Sequence, residues 1–174
     1  MMKRFVLIVF CIVLLTSSVA FADAIQVPSP VSIPNEAAGV WQVPKLKTSS
    51  PLFIKSSEKS AQSIVDDRNS ALLARYGVGQ IIADHYGSRI GNDKNLWQLE
   101  RINVDDTAWF ITDDEVVKYV CYMTCVADVC GGYYKINGTT VLPYFPNDII
   151  CSCCVHEDVT RNYLAFFRLV GEWG

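Results

Sequence analysis

Along the middle of the chain the apolar residues change period, and the change predicts a helix followed by strands. Ala61, Ile64, Val65, Leu72 and Tyr76 recur at helical intervals with Asp66, Asp67 and Asn69 between them, the pattern of a single buried helix stripe. Ser60 is placed to cap that helix, Gly77-Val78-Gly79 to break it, and Gln80 to Tyr86 to resume it before Gly87 as C-cap. Beyond a polar loop over Ser88 to Asn95, Leu96 to Val104 and Ala108 to Thr112 are rich in β-branched and aromatic residues. They read as two strands separated by Asp105-Asp106. Thr112 and Glu115 form a capping-box pattern before Val116, yet Val116, Val117, Val120 and Val126 favour a strand. That strand places Val117, Tyr119, Cys121, Met123 and Cys125 on one apolar face.

The sharpest local signal is Tyr133 to Leu142, where Asn137-Gly138 stands between Tyr-Tyr-Lys-Ile and Thr-Thr-Val-Leu. Both central residues of a type I′ turn need positive φ, which asparagine and glycine accept, so a two-residue hairpin is expected. The same turn accounts for the asparagine of Asn137-Gly138-Thr139 without a sugar. Tyr163 to Val170 fits strand or helix, with Phe166, Phe167, Leu169 and Val170 assigned to the core.

The first 59 residues have a different character. Met1-Met2-Lys3-Arg4 is basic, Phe5 to Leu15 is apolar, and Ala20 and Ala22 precede Asp23 in an A-x-A arrangement, the order of an export signal over 1–22. Eleven apolar residues fall short of the roughly 20 that a membrane-spanning helix needs. Phe10 before Cys11 lacks the small side chain that lipid attachment to an exported cysteine requires. Residues 23–59 hold five of the seven prolines, Pro28, Pro30, Pro34, Pro44 and Pro51, and are expected to form an extended arm. Val40, Trp41, Val43, Leu52, Phe53 and Ile54 would dock that arm on partner subunits or on its own domain. Residues 60–174 would then form one domain.

Charge excludes one class of partner. Cleavage after Ala22 would leave 152 residues and take the formal net charge from −3 to −5. A mildly acidic chain without a basic stripe is a poor ligand for nucleic acid.

Cysteine usage narrows the chemistry. Signal removal takes Cys11 and leaves Cys121, Cys125, Cys130, Cys151, Cys153 and Cys154. In an exported chain an even set is expected to pair as disulfides, here between the 121–130 and 151–154 clusters across the hairpin. A metal site on Cys151, Cys153, Cys154 and His156 is the second reading, although Cys-Ser-Cys-Cys crowds its sulfurs. Thiol exchange through Cys151-Ser152-Cys153 is the third, opposed by the acidic neighbours Glu157 and Asp158.

Other chemistry is thin. There are two histidines, His85 and His156, and neither lies in a G-x-S-x-G or H-E-x-x-H motif. His85 is expected as a helix-end packing or surface residue. The doublets Asp66-Asp67, Asp105-Asp106 and Asp113-Asp114 are expected to do turn and cap work rather than glycoside cleavage. Gly77-x-Gly79 lacks the remainder of a dinucleotide fingerprint. No catalytic residue, cofactor or metal is assigned.

The sequence therefore predicts an α+β domain, a helical segment packed on a mostly antiparallel sheet, stapled by disulfides and preceded by an extended proline-rich arm. The expected function is a non-catalytic structural or interaction protein of the bacterial envelope, periplasmic or secreted, such as an accessory subunit of a secretion or conjugation machine. The alternatives are a released virulence or inhibitor protein, and a periplasmic thiol-redox or metal-binding protein.

Overall fold

The computed structural model describes residues 28–67, 69–85, 98–155 and 158–173. The export signal expected over 1–22 lies outside them, as do the loop over Ser88 to Asn95 and the capping Gly87. Ten strands are present among the described residues: β1 (Gly39–Val43), β2 (Thr48–Phe53), β3 (Ala71–Tyr76), β4 (Gly79–Asp84), β5 (Thr107–Ile111), β6 (Val116–Cys130), β7 (Tyr133–Ile136), β8 (Thr139–Thr140), β9 (Ile149–Val155) and β10 (Asp158–Trp173). Eight of them run in the order β10-β9-β4-β3-β2-β1-β5-β6, and β6 pairs back onto β10 to close a barrel. β2–β3 and β4–β9 are parallel, and the other pairs are antiparallel. Closure leaves no open edge on the barrel wall, so its backbone donors and acceptors are met between strands.

This overturns the helix-on-sheet expectation. Ser60 does cap a helix, its side chain accepting from the Ser63 N–H, but the helix, α1, ends after Ala61–Asp66. The Asp67 carboxylate then accepts from the Asn69 N–H at 3.0 Å, a local turn that competes with further helix. Ala71–Tyr76, rich in good helix formers, is a strand whose exposure alternates. Gly77, at φ +60°, turns it back so that Leu72 faces Ala83 and Tyr76 faces Gly79. Tertiary pairing has overridden local propensity here. The stretch expected as a strand over Leu96 to Val104 contains instead a 3₁₀ turn at Leu99–Arg101. Its Leu99 and Ile102 join the barrel core.

The proline-rich segment is corrected in part, because β1 and β2 come from it and are barrel wall. All five residues of β1 are buried, since residues before it lie along its outer face: the Gln42 side chain donates to the Ser29 carbonyl and accepts the Ser29 N–H. The Asn137-Gly138 hairpin forms as expected, with φ of 50° and 79°.

Two apolar clusters result. Inside the barrel, Trp41 is fully buried and meets Tyr119 and Phe167 edge-on at 5.3 and 5.4 Å, surrounded by Leu52, Ile82, Val117, Ile149 and Ala165. Outside it, Tyr76, Ile81, Ile150, Leu164 and Phe166 lie beneath Tyr134, Ile136 and Val141 of the β7–β8 region. The face expected to run unbroken along β6 is split between them. An irregularity at Phe166/Phe167 lets one extra β6 residue intervene, so Cys121 faces inward while Met123 and Cys125 pack on the outer cluster.

Trp41→Ala is expected to cost about 3 to 5 kcal/mol by removing the central plug, whereas Val170→Thr, at a 60% exposed position, should stay within about 0.5 kcal/mol. Urea unfolding monitored by fluorescence checks both.

Candidate active site

The parallel pairing of β4 with β9 sets the site. Its register aligns Ile82 with Cys151 and Asp84 with Cys153. Along β9 the side chains alternate, so Ile149, Cys151 and Cys153 enter the barrel while Ile150, Ser152 and Cys154 face outward. His85, one residue beyond β4, therefore emerges beside Cys154. Its Nδ1 lies 3.5 Å from the Cys154 sulfur, while its backbone N–H donates to the Asp84 carboxylate at 2.7 Å. The opposite ring nitrogen, Nε2, stands 3.2 Å from a carboxylate oxygen of Asp66, the last residue of α1. The Gln62 amide donates to the same oxygen at 3.0 Å.

A polar chain lines the other side of Cys154. Asn162 of β10 stands opposite Cys154 in the sheet register, and its amide donates to the Ser152 hydroxyl at 2.8 Å. Ser152 donates to the Tyr134 hydroxyl at 2.8 Å, and the Tyr134 N–H donates to the Tyr76 hydroxyl at 2.9 Å. These bonds tie the hairpin across β9 next to the thiol. Arg161, by contrast, is engaged with Asp158 at 2.8 Å where β10 leaves β9. Bonds from Thr160 and then Arg161 hold the Asp158 carboxyl down to about 2.

The six cysteines expected as disulfides are all free thiols, which corrects the stapled picture. Their places in the barrel explain it. Cys121, Cys151 and Cys153 are fully buried inside, Cys125 is half-buried against the outer cluster, and Cys130 is exposed at the end of β6. Burial pushes the Cys121 thiol up to about 11 and the Cys151 and Cys153 thiols well above the ordinary range, and it raises Cys125 as well. Thiols so held stay protonated at neutral pH and are poor nucleophiles and poor exchange partners. The burial of both sulfurs stands against exchange through Cys151 and Cys153. Among the described residues, no cluster of three or more His, Cys, Asp or Glu could hold a metal ion, and His156 lies outside those residues.

Sequence reasoning missed the Cys154–His85 pair because 69 residues separate its members. It also put His85 on a resumed helix, where the structure has β4 ending one residue before it. What the sequence does carry is a strand that buries alternate residues and ends on adjacent cysteines. In such a strand one of the two must face out.

No protein-family model and no curated protein matches the chain by sequence. Solved structures do match its fold. Sortase A of Listeria monocytogenes is 14% identical, over 79% of this chain and 90% of that one, with a TM-score of 0.58. A pilus-related sortase C of Group B Streptococcus is 14% identical over 83% and 77%, with a TM-score of 0.60. Streptococcus pneumoniae sortase C is 13% identical over 82% and 80%, with a TM-score of 0.59. The likeness establishes a sortase-like β-barrel. The solved structures that share this fold here are sortases, which are enzymes, and that runs against the expectation of a non-catalytic accessory protein. No helix among the described residues is long and apolar enough to cross a membrane.

Iodoacetamide at pH 8 should modify Cys154 and Cys130 in the folded protein, while Cys121, Cys151 and Cys153 react only after denaturation. Peptide mapping by mass spectrometry reads all six positions, and rapid native labelling of Cys151 or Cys153 would contradict the barrel register.

Proposed function

We propose that the chain is a cysteine transpeptidase of the bacterial envelope, with Cys154 as nucleophile and His85 as its acid–base partner. The observation that carries the reading is the 3.5 Å approach of His85 Nδ1 to the Cys154 sulfur, on the outer wall of a sortase-like barrel. A thiol beside an imidazole is the arrangement that activates cysteine for attack on a carbonyl.

The chemistry follows from these two groups. The Cys154 S–H proton passes to His85 Nδ1, and the thiolate attacks a peptide carbonyl carbon. As the tetrahedral adduct collapses, the C–N bond breaks and the departing amine takes the proton from Nδ1, leaving a thioester on Cys154. An incoming amine then attacks the thioester, gives its proton to Nδ1, and releases the thiolate with a new amide bond formed. With water in place of the amine the outcome is hydrolysis. Transfer between amines conserves the energy of the bond, so no nucleotide is required.

Protein chains are the natural substrates. The similar structures include one pilus-related enzyme and one described for pilin substrate specificity. Cys154 is half-buried on an outer face rather than sealed in the barrel, which suits an extended peptide segment laid across the wall. An export signal over 1–22 would deliver the enzyme to such substrates outside the cytoplasm.

The test is capture of the acyl-enzyme. Incubated with a mixed peptide library and then hydroxylamine, the protein should yield peptide hydroxamates. Cys154→Ala should yield none, and His85→Ala should lower the rate about 10²- to 10⁴-fold. Cys130→Ser should behave as wild type. Hydroxamate formation that survives Cys154→Ala would overturn the assignment.

A further inference from the structure

We infer that Asp66 is a positioning residue for this site: its carboxylate fixes the tautomer of His85 and so decides which ring nitrogen faces Cys154. The inference rests on the acyl-transfer reading for its consequence, but its geometry stands independently. His85 lies between two partners, Cys154 Sγ at 3.5 Å from Nδ1 and Asp66 Oδ1 at 3.2 Å from Nε2. An ionised carboxylate has no proton to donate, so the nitrogen facing it must carry the hydrogen. In the neutral ring that nitrogen is Nε2, which leaves the Nδ1 lone pair directed at the Cys154 sulfur, where a proton acceptor is needed. Once the ring has taken the thiol proton, both nitrogens donate. Nδ1–H then faces the thiolate and Nε2–H faces Asp66.

The helix itself does not favour Asp66 at this position. A carboxylate in the last turn of a helix opposes the helix dipole, which favours cations there. α1 is held in place by its Ser60 cap, by buried Ile64, and by a 3.0 Å bond from the Ser70 hydroxyl to the Ile64 carbonyl. Gln62, one turn earlier, donates to the same Asp66 oxygen that meets His85, fixing the carboxylate's orientation toward the ring. Asp67, its neighbour in the doublet, does the turn chemistry by accepting from the Asn69 N–H. The two members of the doublet thus have different work: the Asp67 carboxylate closes the turn and the Asp66 carboxylate meets the histidine.

The size of the effect follows from exposure. The Asp66 and His85 side chains are 57% and 39% exposed, so the pair is screened and should be worth about a fivefold change in rate rather than the loss of activity expected of a buried orienting carboxylate.

The test reads the tautomer directly. In full-length protein labelled with ¹⁵N-histidine, long-range ¹H–¹⁵N spectra should show His85 with Nε2 protonated and Nδ1 bare in the neutral ring. Asp66→Asn keeps the shape but can offer an N–H to Nε2. It should give a mixed or Nδ1–H tautomer and slow iodoacetamide modification of Cys154 about fivefold. Asp66→Glu, which keeps the charge, should restore the Nε2–H form and most of the alkylation rate. An Asp66→Asn variant with an unchanged tautomer and unchanged Cys154 reactivity would overturn the proposal. Because neither readout requires turnover, that failure is distinct from failure of the acyl-transfer reading, which would show as no hydroxamate from wild-type protein.

Discussion

The parallel register between β4 and β9 is the constraint on which the site depends. It pairs Asp84 with Cys153, and because side chains alternate along a strand, the next residues on each, His85 and Cys154, meet on the outer wall. A one-residue slip would send Cys154 into the barrel and bring Cys153 out. Such a slip is opposed from both sides. β9 is buried along most of its length, with Ile149, Cys151 and Cys153 filling the interior and Ile150 fitted beneath the hairpin. β10 then clamps β9 in antiparallel register from Phe167↔Ile149 to Asn162↔Cys154, and its pairing with β6 closes the ring.

Closure also separates the thiols by chemistry. The same alternation that exposes Cys154 places Cys151 and Cys153 in a dry interior beside Trp41 and Phe167. There, desolvation disfavours the thiolate and keeps them unreactive. A chain exported to an oxidising compartment would keep buried cysteines reduced on these terms, since oxidation and exchange both proceed through an accessible thiolate. Burial in the barrel protects Cys121, Cys151 and Cys153, while Cys154 stands beside His85 and Cys130 is exposed.

What was legible in the sequence was local. The Asn137-Gly138 turn, the Ser60 cap and the strand character of β6 depend on neighbours a few residues away, and each formed. Ala71–Tyr76 misled because alanine, leucine and arginine favour helix intrinsically, and only pairing with β2 on one side and β4 on the other makes the segment a strand. The proline-rich start misled for the complementary reason. Its prolines exclude it from most strand interiors, yet Pro51 sits in β2 opposite Val40, and Pro44 falls in a 3₁₀ turn between β1 and β2. The cysteine count was read through compartment alone, and an even number implies pairing only when geometry brings partners together.

The site itself was illegible for a topological reason. Asp66, His85 and Cys154 come from a helix end, a strand end and a strand on the far side of the chain, and a parallel β4–β9 pair can form only after the long intervening segment has crossed over. No spacing rule links residues joined this way. Each also has a plausible local role that hides the distant one: an acidic residue in a turn doublet, a histidine at an element's end, a cysteine in a crowded run. The fold brings those three side chains together by register, so their meeting is a property of strand alignment more than of any motif.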